Sequence, residues 1–127
     1  MSEGIKTYRD LLVWQKSVDL VKLVYQIGKR IPESERFGLI SQLQRAAVSI
    51  PSDIAEGWGR ETKNNYVNFL RIAKGSLAEL NPLGIIGRDL GYIDSDFFLL
   101  LNNKTEEVSR MLNSLIRSLS KQQIATA

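Results

Sequence analysis

Charged and hydroxyl-bearing side chains recur along residues 45–60 at a spacing that places them on one side of a helix. At about 100° per residue, six of them fall within a sector of about 100°. A planar guanidinium holds a carboxylate or a phosphate through two parallel hydrogen bonds, and small serines let another backbone approach. The pattern predicts either a solvated helix face or a docking surface, within the fold or between subunits. This polar stripe, to which we add one acidic residue from a later segment, consists of Arg45, Ser49, Ser52, Asp53, Glu56, Arg60 and Glu79.

The positive charge of the chain is concentrated in one segment. Residues 36–74 hold six basic and three acidic side chains, and this excess equals the net charge of +3 of the whole chain. Lys63 and Lys74 lie about 20° apart in helical projection, with Arg71 about 60° to 80° away. Such a ridge suits the phosphates of a nucleic acid and reads no base sequence. The predicted phosphate contacts, the basic set, are Arg45, Arg60, Lys63, Arg71 and Lys74.

Two aromatic side chains lie close to the basic set in the sequence, Trp58 and Tyr66. Either ring has a face on which a nucleic-acid base can stack. The favoured interpretation is structural, because Tyr66 falls on an apolar helix stripe and Trp58 flanks a turn where it can cover the end of the fold.

The composition argues against several classes of function. The chain has no histidine and no cysteine, so it has no zinc site of the usual kind, no thiol nucleophile and no Ser-His-Asp triad. The acid–base groups usual near neutral pH are missing, and a carboxylate-bridged di-metal bundle needs histidines. We therefore expect no enzyme, no metal and no cofactor. Residues 1–6 lack the apolar stretch of a signal peptide and no apolar run reaches membrane-spanning length, which predicts a cytoplasmic protein.

Apolar residues recur at three- and four-residue spacing along most of the chain, which predicts helices. No segment shows the alternation typical of strands. The helices are expected at about 8–31, 35–58, 62–91 and 95–120, in a single domain of residues 1–127. With short connections, they predict an all-α fold, an antiparallel up-down four-helix bundle.

Two prolines and three glycines interrupt this pattern. Pro51 is interpreted as a kink inside the second helix, because the apolar phase continues from Ile50 to Ile54. Pro82 is expected to kink or break the third helix. The glycines that follow, Gly84, Gly87 and Gly91, allow a helix there only if it packs closely on a neighbour.

The first helix carries an apolar sector wider than one partner helix requires, with Leu12 and Trp14 near its start. A solitary bundle would leave part of this surface exposed to water. A symmetric oligomer removes that exposure, so identical copies are the first partner that we expect.

The stretch RFGLISQLQRAAVSIPSDIAEGWGR at residues 36–60 closely resembles the signature of a bacterial family. These are the four-helix-bundle proteins encoded within intervening sequences of 23S ribosomal RNA genes. Further similar stretches are YRDLLVWQKSVDL at 8–20, NFLRIAKGSLAEL at 68–80 and LGYI at 90–93. The resemblance covers nearly the whole chain, and the RAAVSI and IAEGWGR blocks are its most specific parts.

The resemblance implies a four-helix protomer that assembles into a homopentameric ring with a central channel. The family is similar to the accessory variability determinant of diversity-generating retroelements, a pentamer that binds nucleic acid and partners a reverse transcriptase. Two positions depart from the family pattern. Asp53 stands where the family most often has Asn, and Asn81-Pro82-Leu83-Gly84 replaces a continuous helical segment.

Two hypotheses for function follow. The first is a non-enzymatic, homo-oligomeric protein, a pentamer by resemblance, that binds RNA or DNA through the basic set. The second is a protein-interaction scaffold or accessory subunit, whose polar stripe builds subunit contacts and which does not touch nucleic acid.

Overall fold

A computed structural model describes residues 4–126, with side chains described for residues 4–121. Within this part the fold is all-helical and contains no strand. The four α-helices are α1 (Leu12–Gly28), α2 (Leu39–Trp58), α3 (Lys63–Asp89) and α4 (Ser95–Thr126), and short 3₁₀ turns at Tyr8–Asp10 and Glu33–Glu35 precede α1 and α2. None of the described helices is long and apolar enough to cross a lipid bilayer.

The four helices surround one hydrophobic core. Each helix contacts the next along the chain, and α4 returns to contact α1; among the described residues the backbones of the diagonal pairs lie further apart. The core is built from the apolar stripe of every helix, and its largest fully buried side chains are Leu20, Val24, Ile27, Leu43, Ile50, Ile54, Leu70, Leu80, Leu101, Val108 and Leu112. The three- and four-residue periodicity therefore predicted helices with one buried face, as the core residues Leu43, Ile50 and Ile54 of α2 show.

Two helices begin later than the sequence indicates. The Thr7 hydroxyl and the Asp10 carboxylate form a reciprocal capping box, but it closes a 3₁₀ turn, and Leu11 is extended before α1 starts at Leu12. In the same way α2 starts at Leu39 and not near residue 35, where a carboxylate oxygen of Glu35 accepts a hydrogen bond from the Leu39 N–H. Helix α1 also ends earlier, at Gly28 instead of residue 31. A capping pattern fixes a turn, and the turn need not continue as an α-helix.

The prolines lie inside helices that continue past them. Pro51 is within α2, as the apolar phase predicted, and Pro82 is within α3, so Pro82 does not end its helix. A proline leaves the carbonyl four residues earlier without its donor. For Pro82 that carbonyl belongs to Ala78, an exposed residue, so water can satisfy it.

Close helix approach explains the glycines beyond Pro82. Gly84 and Gly87 are buried in α3, and a Cβ at Gly84 would lie 3.0 Å from a methyl carbon of Leu101. A Cβ at Gly87 would lie 2.5 Å from the terminal methyl of Ile93. Gly91 has a φ of 80°, the left-handed conformation that turns the chain toward α4.

The tightest fixed contact joins α2 and α3 at Gly57. A Cβ there would lie 2.8 Å from the Phe69 Cβ and 3.2 Å from the Tyr66 carbonyl oxygen. Both atoms belong to or adjoin the backbone of α3, so neither can swing away. Only a residue without a side chain lets the two helices come this close.

Gly57→Ala is expected to lower the free energy of unfolding by about 1–3 kcal/mol, because the added methyl overpacks the α2–α3 contact. The matched control is Gly75→Ala in α3, where a Cβ would meet no atom within 4 Å. That control is expected to raise stability by up to about 1 kcal/mol through helix propensity. Urea unfolding followed by circular dichroism measures both; a shift of the two variants in the same direction would contradict the packing argument.

Candidate nucleic-acid interface

The middle of the polar stripe bonds mainly to its own helix. The Ser49 hydroxyl donates to the Ala46 carbonyl at 2.8 Å, and the Ser52 hydroxyl donates to the Val48 carbonyl at 2.9 Å. The Arg45 guanidinium donates from Nη2 to the Ser41 hydroxyl at 2.7 Å, and within the described side chains it forms no ion pair. The hydroxyl protons of both serines are therefore used in hydrogen bonds within α2. Arg45 keeps its positive charge, and most of its N–H donors remain free.

The far end of the polar stripe holds an ion pair. Arg60 Nη2 lies 2.8 Å from Glu56 Oε2, and the guanidinium also lies 4.7 Å from the centre of the Phe69 ring. Glu56 lies about 16 Å further along α2 than Arg45, and Arg60 lies just beyond the end of that helix. The charge of Arg60, a member of the basic set, is thus partly neutralised inside the protomer.

Asp53 lies half-buried between these two groups. Burial is the main cause that raises the pKa of its carboxyl above the usual 3.8, and the nearby negative charge of Glu56 adds to it. An ionised Asp53 is therefore less favourable in the folded protein than in the unfolded chain.

The cations of α3 are less compensated. Lys63 is the first residue of the helix, directly after Thr62, whose hydroxyl accepts from the Asn65 N–H at 3.1 Å. Arg71 is exposed and Lys74 is half-buried. None of the three basic residues forms an ion pair with a carboxylate among side chains 4–121. The positive end of the α3 dipole adds to the field near Lys63.

The side of α3 that faces α4 is marked by a hydrogen bond from the Asn81 amide to the Asn102 carbonyl oxygen at 2.7 Å. Lys74 lies one heptad before Asn81, so the two share this side of α3. On α4, Arg117 lies about 60° around the helix from Asn102, is exposed, and has no ion-pair partner among the described side chains. The basic residues along this seam of α3 and α4, the cationic seam, are Lys63, Arg71, Lys74 and Arg117.

Arg45 lies apart from the cationic seam. It lines two open grooves, one between α1 and α2 of about 620 Å³ and one between α2 and α3 of about 600 Å³. Ser76 and Glu79 line the second groove, and Ser76 is about 200° around α3 from Lys74. The structure therefore places Arg45 and Glu79 on the side of α3 opposite Lys74, and the basic set does not form one continuous patch.

The aromatic residues near the basic set are part of the fold. The Trp58 and Tyr66 rings meet edge to face, with centroids 6.1 Å apart. Burial raises the pKa of Tyr66 to about 12, and its buried hydroxyl has no hydrogen-bond partner among the described residues. The structural interpretation of both rings agrees with this packing.

Sequence reasoning missed the ring that is most accessible. Phe37 is 90% exposed and lines both grooves beside Arg45. Its signal in the sequence is an aromatic residue between Pro32 and the start of α2, outside every apolar stripe. Arg117 was missed because it lies far from the basic segment in the chain.

The family of 23S rRNA-intervening sequence proteins matches residues 9–114 of the chain. This chain belongs to that family. A similar solved structure is a protein with unknown function from the S23 ribosomal protein family of Bacteroides thetaiotaomicron. It has 22% sequence identity and a TM-score of 0.77, and the match covers 84% of this chain and 96% of that one. Comparison with curated proteins gives no match.

At this identity the solved structure supports the fold of the intervening-sequence protein and nothing finer. The matched region contains α1, α2 and α3 together with most of α4. It also includes every residue of the polar stripe and of the basic set. Among the described residues of this intervening-sequence protein, no group of three or more acidic side chains is placed to hold a metal ion.

Asp53→Asn is expected to stabilise the protein at pH 7, by less than about 1 kcal/mol because the group is partly solvated. The raised pKa means that the folded state binds the proton more readily than the unfolded chain does. The ionised carboxylate therefore lowers the free energy of unfolding at pH 7, and this loss disappears as the pH falls through the folded-state pKa. The gain should therefore vanish at about pH 3, below the usual value.

Thermal unfolding at the two pH values measures this difference, with Asp19→Asn at an exposed site of α1 as the control. An equal gain at both pH values, or a loss at pH 7, would show that the charge of the Asp53 carboxylate does not destabilise the folded protein.

Proposed function

We propose that this intervening-sequence protein is a non-enzymatic homo-oligomer that binds RNA or DNA through phosphate contacts without direct readout of base sequence. The cationic seam carries the proposal. Its four side chains come from two adjacent helices, and none has an ion-pair partner among the described side chains. Lys63 and Lys74 are about 16 Å apart along α3, which is about five phosphate spacings along one strand of a duplex at about 3.4 Å each.

The proposed architecture is an antiparallel bundle. Lys16 in the first turns of α1 lies 3.8 Å from Glu107 in the middle of α4, whereas Arg30 just after α1 lies 3.6 Å from Asp94 just before α4. The bond from Asn81 to Asn102 and the packing of Gly87 on Ile93 follow the same order for α3 and α4. These contacts support helices that run alternately up and down.

The proposed assembly is a ring, pentameric by the family resemblance. Support comes from large apolar side chains that one protomer leaves in water. Leu12 is 57% exposed, Leu90 is 56% exposed and Leu99 is 60% exposed. Contacts between identical copies would bury such side chains and bring several cationic seams together.

The family name indicates which nucleic acid should be tested first. Intervening sequences of 23S rRNA genes connect the family with ribosomal RNA, so structured RNA is the first probe. Nothing in the cationic seam distinguishes ribose from deoxyribose, and DNA of the same length is the comparison.

A protein-interaction scaffold without nucleic-acid contact is the second candidate. The observation in its favour is that four apolar residues near the connection of α3 and α4 are exposed, Ile86, Leu90, Leu99 and Leu100. Exposed apolar side chains suit another protein as well as a second copy.

Replacement of Lys63 and Lys74 by Gln is expected to weaken RNA binding and to reduce its salt dependence. Each lost phosphate contact should lower the slope of log K against log salt by about 0.7 to 0.9. Filter binding at several salt concentrations measures the slope, and Lys22→Gln, an exposed lysine of α1, is the matched control. An unchanged slope in the double variant, or undetectable binding of the intact oligomer at ~50 mM salt, would contradict the proposal.

A further inference from the structure

The groove between α1 and α2, the α1–α2 groove, combines two aromatic rings with two guanidinium groups. Phe37 is 90% exposed at one end of it and Tyr25 is 44% exposed on its α1 wall. Arg36 and Arg45 contribute the charges, and amide and hydroxyl groups complete the lining. No carboxylate lines this groove, and Arg45 is its uncompensated positive charge, because Arg36 is paired with Glu33.

The Phe37 side chain lies exposed to water just before α2. It precedes Gly38, the N-cap of α2, and lies outside the apolar stripes that form the core. Because both faces of a phenyl ring prefer a planar or apolar neighbour, this ring is available for a ligand.

The charge of Arg45 is available in the same groove. Its bond to the Ser41 hydroxyl at 2.7 Å uses one donor and fixes the side chain, which leaves the other guanidinium donors for an anion. The carboxylates near the start of α2 are already engaged. Glu33 pairs with Arg36 at 2.6 Å, and Glu35 accepts from the Leu39 N–H at 3.1 Å.

We propose that the α1–α2 groove binds an unpaired nucleotide of a single-stranded RNA or DNA. Its base stacks on Phe37 and an adjacent phosphate is held by Arg45. The Gln44 side chain, which also lines the groove, supplies amide groups for the edge of the base. This inference rests on the proposed function and deepens it. In addition to phosphate contacts at the cationic seam, the protein would bind an unpaired base of a single strand.

Charge complementarity favours this occupant over a second copy of the chain. A ligand of the groove must be anionic and must present a flat surface, and a nucleotide has both properties. A second copy that covered Phe37 would remove the unpaired charge of Arg45 from water, which costs free energy unless that copy also brings a carboxylate to the groove.

The experiment compares Phe37→Leu with Phe37→Trp in the full chain. Leucine keeps the apolar volume and removes the aromatic face, whereas tryptophan keeps a larger one. The probe is an oligouridylate with one central 2-aminopurine, titrated by fluorescence at two salt concentrations, and a duplex of the same length is the comparison. Ile72→Ala, at a 51% exposed apolar site on α3, is the matched control.

Phe37→Leu is expected to weaken single-strand binding about 5- to 150-fold, the range found for loss of one base–aromatic stack. The stack is not ionic, so the salt slope should stay the same. Phe37→Trp should restore affinity and the change in 2-aminopurine fluorescence. The duplex affinity of the Phe37 variants, both affinities of the Ile72→Ala variant and the native mass of every variant should match those of the unmodified protein.

Three results would overturn the inference. If Phe37→Leu binds the single strand as tightly as the unmodified protein does, the groove is not the site, although the proposed function stands. A change of native mass in the Phe37 variants would assign the ring to a contact between copies. If the unmodified protein binds neither probe, the proposed function fails and the inference fails with it.

Discussion

The attraction between a few unpaired cations and a polyanion is the interaction on which the proposed account depends, and one chain supplies little of it. The net charge is +3, and three or four phosphate contacts per chain give only weak, salt-sensitive binding. Several copies multiply both the number of contacts and the local field. Copies would assemble by burying the exposed apolar side chains of the protomer. The proposed account thus links the exposed apolar surface to the binding of a polyanion.

The fold fixes where those cations lie. Apolar side chains of four helices meet in one core, and two close helix approaches set the spacing of the outer surfaces. Gly57 brings α2 against α3, while Gly84 and Gly87 bring α3 against the start of α4. Lys74 shares its side of α3 with Asn81, which bonds to Asn102 of α4, whereas Ser76 and Glu79 line the groove with α2. The same packing separates Arg45 from the cationic seam and leaves it beside Phe37.

Much of the fold was predictable from the sequence, because burial follows the helical period. The buried residues of α2 and the continuation of that helix through Pro51 could be read from the unbroken apolar phase. The start of α1 could not, since the capping box of Thr7 and Asp10 stabilises a turn without specifying whether it is α or 3₁₀. The continuation of α3 through Pro82 depends on an exposed carbonyl and on the tertiary contacts of Gly84, which a local pattern does not contain.

The candidate site was predictable only in part. Projection on a single helix predicts that Lys63 and Lys74 share a side of α3, but it does not show which neighbouring helix that side faces. The separation of Arg45 from Lys74 and the addition of Arg117 both depend on how different helices pack. Phe37 was missed for a similar reason. The aromatic residues considered from the sequence lie on or near the apolar helix stripes, and Phe37 lies on no such stripe.

Native mass at micromolar concentration, measured by light scattering in low and in moderate salt, tests most directly whether identical chains gather to concentrate their charge. The account predicts one species of several chains that persists when salt is raised, because apolar contacts hold it together. A stable, monodisperse monomer under both conditions would contradict it.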